Sequence, residues 1–160
     1  MIGALLLAAA PLSFEGIALG DDAAKIAAAH QGTRTFTALG PAFSWHRRGG
    51  GTLMIASDAA GKVVLVDFVP DRGEEDAVAL PGAGDFGVLS SRVDLAASIG
   101  PPVAACRAQY LFGSCGVYAL AGGSELVAQF EGPGDGSLVR ATWAEAATIL
   151  RLRIAPPASP

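Results

Sequence analysis

The sequence predicts an α+β protein of two tandem repeats, each a helical segment followed by an antiparallel β-meander, packed as one unit. Three observations lead there. A capped helix pattern occurs twice, over residues 21–30 and 90–99, and each time a Gly-Pro break follows. After each break, short apolar–polar runs alternate with glycine-containing turns, as antiparallel strands do. The spacings agree as well. Trp45 to Leu53 and Tyr118 to Leu126 are both eight residues, Gly16 to Trp45 is 29 against 31 from Gly87 to Tyr118, and Leu53 to Val63 is 10 against 12 from Leu126 to Leu138. The additions fall in loops. Neither half, at under about 70 residues, would bury enough surface alone, which favours one cooperative unit.

Residues 1–12 read as a leader segment. The run MIGALLLAAA has the apolar core and small-residue end of a secretory signal, although no Lys or Arg precedes it. The alternative is a buried N-terminal helix or strand. Pro11 stands where cleavage after Ala10 would start the mature chain, so the processing site lies elsewhere or the recorded start is internal to a longer leader. No cysteine follows this stretch, which excludes a lipid anchor at a processed N-terminal Cys.

Residues 13–70 form the first repeat. Asp21 or Asp22 caps a helix over residues 23–30, with Ile26, Ala27 and His30 as its inward stripe, and Gly32 ends it. Residues 33–37 are β-branched and fit either a strand or a short helix. Strands follow at 43–46, 52–56 and 63–69, the last closed by Pro70. Residues 71–85 are acidic and broken by Pro81 and glycines, the composition of a linker. The second repeat, 86–143, restarts with a cap at Ser90 or Ser91, a helix through Ile99, and strands at 117–120, 125–130 and 138–143. In the tail, 144–160, Ala147, Leu150 and Ile154 follow Trp143 at helical spacing, while Leu150, Leu152 and Ile154 also alternate as a strand would. The helix is preferred, with a disordered end.

Composition narrows the function. Of 160 residues 51 % are hydrophobic, ample for a core, and the net charge of −4 lacks the basic footprint of a nucleic-acid binder. No apolar run approaches the ~18 residues of an integral membrane segment. Cys106 and Cys115 are the two cysteines. In an exported chain they would pair; in a cytosolic one they would stay reduced. A tight hairpin at Gly113–Ser114 would extend residues 107–112 and hold the cysteines ~20 Å apart at ~3.3 Å per residue, whereas a bridge needs Cα atoms within ~7 Å. Export therefore predicts the disulfide, with residues 107–114 folded back as a loop. Tyr110, Leu111 and Phe112 would then sit in a stapled loop, as a binding anchor or as core beneath the sheet.

His46-Arg47-Arg48, beside Trp45 and the turn Gly49-Gly50-Gly51, is the most concentrated polar group. Arginine forks next to a ring suit an anion or carboxylate, and the plainer reading is a solvated hairpin end. The candidate binding residues are Trp45, His46, Arg47, Arg48, Tyr110, Leu111, Phe112 and Tyr118. No catalytic residue, metal ligand or cofactor is assigned. Gly113-Ser114-Cys115-Gly116 lacks the nucleophile-elbow spacing, the acidic cluster Asp67, Asp71, Glu74, Glu75 and Asp76 lacks the order of a calcium loop and reads as solvated, and the triple glycine is not followed by Lys-Ser/Thr.

A G-x-x-L-G-D motif (Gly16, Leu19, Gly20, Asp21), a repeated Leu/Ile-Gly-Pro break (Leu39-Gly40-Pro41 and Ile99-Gly100-Pro101), an aromatic strand and a strand–turn–strand ending run over residues 14–143. Together they resemble the helix-plus-meander module of the small outer-membrane assembly lipoproteins (SmpA/OmlA) and of the tandem-repeat β-lactamase inhibitor proteins. The resemblance implies two modules side by side in one curved antiparallel sheet, with helices on its outer face. The chain departs from both families: the lipoproteins' anchoring cysteine is missing, and only the second repeat carries cysteines where tandem inhibitors have a pair in each. The expected function is an exported, non-catalytic binding or structural module that contacts another envelope or secreted protein. The second reading is a small periplasmic enzyme or ligand carrier with an enclosed pocket.

Overall fold

The structure, a computed structural model, describes residues 11–71, 77–108, 113–132, 136–155 and 157–158. It is α+β and mostly antiparallel sheet. Strands β1 (Thr33–Thr37), β2 (Gly40–His46), β3 (Thr52–Ser57) and β4 (Val63–Val69) follow helix α1 (Ala23–His30). A small hairpin, β5 (Val78–Leu80) and β6 (Gly84–Phe86), leads to α2 (Arg92–Ile99). Then come β7 (Ala104–Cys106), β8 (Ser114–Ala119), β9 (Ser124–Phe130), β10 (Leu138–Glu145) and α3 (Ala146–Arg151). Eight strands make one sheet in the order β1-β2-β3-β4-β10-β9-β8-β7. The chain works inward from one edge to β4, leaves, restarts at the far edge with β7, and works inward again until β10 closes on β4.

Local chemistry explains the helix starts. Asp22 caps α1 by accepting from the Lys25 N–H at 3.1 Å, and Asp21 accepts from the Ala18 N–H at 2.9 Å. Ser91 and Asp94 form a reciprocal capping box at α2. α1 ends on Gln31, whose φ of 55° is left-handed, one residue before the expected Gly32.

Side chains alternate between the two faces of the sheet, and each face has its own apolar cluster. The larger one gathers Trp45, Leu53, Phe68, Tyr118, Leu126 and Trp143 under α1, α2, the residues around Phe14 and the β5–β6 hairpin. Register aligns these aromatics in two ladders: Trp45 faces Leu53, which faces Phe68, while Tyr118 faces Leu126, which faces Trp143. On the opposite face Ala56, Leu65, Val117, Val127 and Ala144 are covered by Ile149 of α3, Leu152 and Ile154.

One open alternative is resolved and two expectations change. Residues 33–37 are a strand. Part of the expected linker is core, because Val78 and Leu80 are buried and Phe86 stacks edge-on against Phe130 at 6.5 Å; residues 72–76 lie outside the described residues. The end of the chain does not simply trail away: Pro157 bridges to Cys106. The tail does hold a short helix, α3, but not on the expected stripe: Trp143 belongs to β10, Ala147 and Leu150 are exposed, and Ile149 is the residue that reaches the second face.

Candidate functional site: a groove beside Trp45

The sharp turn after β2 builds the site. Gly51 sits at φ 83°, and a Cβ there would come within 2.8 Å of the Val69 carbonyl oxygen and 2.5 Å of the Phe68 ring, so only glycine lets the turn lie this close to β4. Arg47 is tied into that turn. Its Nε donates to the Gly50 carbonyl (2.9 Å), and its Nη1 donates to Glu15 Oε1 (2.7 Å) and the Ala77 carbonyl (2.9 Å). The guanidinium lies 5.1 Å from the centre of the Phe68 ring. Glu15 Oε1 also accepts from the Ala79 N–H at 2.8 Å. The pair is largely buried and joins the N-terminal segment, the β2–β3 turn and β5. Arg47 is therefore a structural strut.

His46 and Arg48 are exposed, and His46 Nε2 lies 3.1 Å from Asp71 Oδ2. Trp45 is buried but carries the exposed His30 on its ring, stacked with centroids 4.7 Å apart and planes 7° from parallel. Together with Glu15, Ile17, Leu53 and Gln31 these residues line an open groove of about 610 Å³. Of the candidate binding residues, Trp45, His46, Arg47 and Arg48 thus come together. Tyr118 does not join them: it is 2 % exposed, in the core of the other ladder, and burial pushes its phenol pKa up, with Arg92 opposing. Tyr110, Leu111 and Phe112 lie outside the described residues.

No family model, curated protein or solved structure matches this chain.

Cys106 and Cys115 are bonded to each other. They are direct register partners on β7 and β8 with Cα atoms 4.9 Å apart. Of the two readings the disulfide holds and the tight turn at Gly113–Ser114 does not: Cys106 ends β7, and Ser114, expected in the loop, already opens β8. Among the described residues no helix is long and apolar enough to cross a membrane, and no cluster of His, Cys, Asp and Glu could hold a metal.

Two groups escaped sequence reasoning. His30 was read as an inward helix residue, and Glu15 drew no attention, because their partners are 15 and 32 residues away. The other is Asp67 on β4, which the sequence groups with a solvated acidic cluster and which the structure instead buries. It is 5 % exposed and takes Arg140 Nε and Nη2 on its two oxygens, at 2.9 and 3.0 Å, plus the Thr142 hydroxyl at 2.6 Å. The signal was present in part: Asp67 is the one charge in an otherwise apolar strand, and a buried carboxylate needs a partner. This trio floors a smaller cleft of about 240 Å³ walled by Leu39, Met54, Leu65, Leu152 and Ile154.

Proposed function

We propose that the protein is an exported, non-catalytic binding module whose groove beside Trp45 receives an acidic, extended segment of another envelope or secreted protein. One observation carries this reading. On a chain of net charge −4, the groove sets the exposed guanidinium of Arg48 and the rings of His46 and His30 around an indole, and among the described residues its lining carboxylate, Glu15, is engaged by Arg47 while Asp71 lies against His46. The Arg48 guanidinium beside aromatic rings suits a carboxylate-bearing ligand, and the negative charge of the chain as a whole repels such a ligand elsewhere. The disulfide supports an oxidising compartment, and hence a periplasmic or secreted location. Support for the tandem-module reading comes from the order helix, then four-stranded run, met twice, and from the two aromatic–Leu–aromatic ladders. The carrier reading needs an enclosed cavity; both clefts described above open to solvent.

Titration with a glutamate-rich peptide, followed by amide chemical shifts, tests the reading. Shifts centred on His30, His46, Arg48 and Gly49 are expected, weakening with salt, with Arg48→Glu reducing affinity about tenfold. Equal binding of a lysine-rich peptide would refute it.

A further inference from the structure

Among the described residues β1 is an edge strand paired on one side only, with β2. Residues 33–36 are all exposed, Phe36 to 72 %. The two-residue turn after it makes Thr37 and Gly40 a register pair, and such a turn closes on a hydrogen-bonded pair. Bonding then alternates along an antiparallel ladder, so Thr33, Thr35 and Thr37 direct their backbone groups toward β2 and Arg34 and Phe36 direct theirs outward. Two full sets of backbone donors and acceptors thus face away from the sheet, an arrangement that templates a further strand.

The sequence of β1, Thr-Arg-Thr-Phe-Thr, says which strand. Read against itself in antiparallel sense about Thr35, it sets Thr33 opposite Thr37, Thr35 opposite Thr35, and Arg34 opposite Phe36. We propose that the chain forms a two-fold symmetric dimer in this register, β1 against β1 of a second copy, joining two eight-stranded sheets into one. The backbone supports it, because Arg34 and Phe36 are the residues whose outward groups would bond, and here each bonds the other. The side chains support it too. Arg34 already rests over its own Phe36 ring at 5.2 Å, so both project from one face, and in the dimer each guanidinium gains the opposing ring as well. The threonines pair on the other face, a favourable β-branched match. Of the registers open to these outward groups, pairing Arg34 with Arg34 opposes like charges, and pairing Phe36 with Phe36 leaves both arginines without a cross-strand ring. The interface is isologous and closed.

Sedimentation equilibrium of the full chain with its disulfide intact, from about 10 µM to about 1 mM, tests the proposal. A reversible monomer–dimer equilibrium is expected. Phe36→Glu puts a carboxylate opposite Arg34 and keeps the dimer, now sensitive to salt, whereas Phe36→Arg opposes like charges and weakens it at least about tenfold. Arg34→Glu combined with Phe36→Arg restores it. Unchanged thermal midpoints in the monomeric state confirm that the variants fold, since residue 36 is exposed. A wild-type chain that stays monomeric throughout overturns the proposal. So does a Phe36→Glu variant that dissociates as readily as Phe36→Arg, which would reduce the contact to an unregistered apolar one.

Discussion

At one margin of the sheet β7 presents three residues, two exposed and the last, Cys106, buried, bonded to Cys115 and bridged to Pro157; at the other, β1 presents five, four of them exposed, Phe36 among them. The same antiparallel backbone lies beneath both, so the difference rests with the side chains and with what is laid across them. A sheet with two edges like β1 would add strands at both sides and grow into a fibre. One closed edge and one self-complementary edge limit growth to a pair. The contrast also locates the groove, which lies on the open half of the molecule, where the turn after β2 and the end of α1 meet.

The joint between the margins should give the largest effect. Asp67→Ala removes the buried carboxylate that takes hydrogen bonds from Arg140 and Thr142 across β4 and β10, and the loss should be about 3 kcal/mol by urea titration, since three charge-assisted hydrogen bonds at the seam go with it. If Asp67→Ala unfolds in two steps, one for each margin, the sheet is two bodies and the comparison must be redrawn. The closed margin comes next. Cys106→Ser with Cys115→Ser should cost roughly 2–3 kcal/mol through loop-closure entropy alone. Amide exchange should speed up at Ala104 and Ala105 while β1 stays unchanged; equal loss at both margins would mean that the clasp serves the whole sheet. Smallest is an alkaline effect confined to the closed half. Tyr118 holds the place in its ladder that Trp45 holds in the other, and its phenol pKa is raised above 10.0 by burial. A group with a raised folded-state pKa contributes fully below the unfolded value and loses that contribution as pH climbs through the folded one. Stability should therefore fall above about pH 10, and Tyr118→Phe should flatten the slope; a parallel slope in the variant would assign the loss to other groups.

Much of the strand pattern was legible in the sequence because period-two alternation is local. β4 and α1 fall where expected, at Val63–Val69 and Ala23–His30. The misread stretch was the second half of the supposed linker, where Pro81 and the glycines mask two three-residue strands whose burial depends on Phe130, far along the chain. The groove was half legible. His46, Arg47 and Arg48 announce themselves by density, but sequence cannot say that Arg47 is spent on Glu15 while Arg48 is not, because that follows from a turn at Glu15 (φ 51°) that returns the chain to β5. Tyr118 looked like Trp45 by spacing, and the spacing was informative about its place in a ladder. Exposure is a different property, set by what packs above each ring.

The order of strands has a consequence for how the molecule comes into being. β4 is finished by residue 69, yet its second neighbour is β10, which begins at residue 138. A chain emerging from its N-terminus, during synthesis or translocation, must carry the inner side of β4 unpaired until nearly the whole sequence is out. The first four strands form through local hairpins, each closing a short loop, whereas the central seam waits for contacts more than 70 residues apart, which are slow to find. Completion is therefore tied to the last strand. A chain cut short before residue 138 would display the edge Leu65-Val66-Asp67-Phe68 without its partner strand, largely apolar and of the kind that recruits quality control or aggregates.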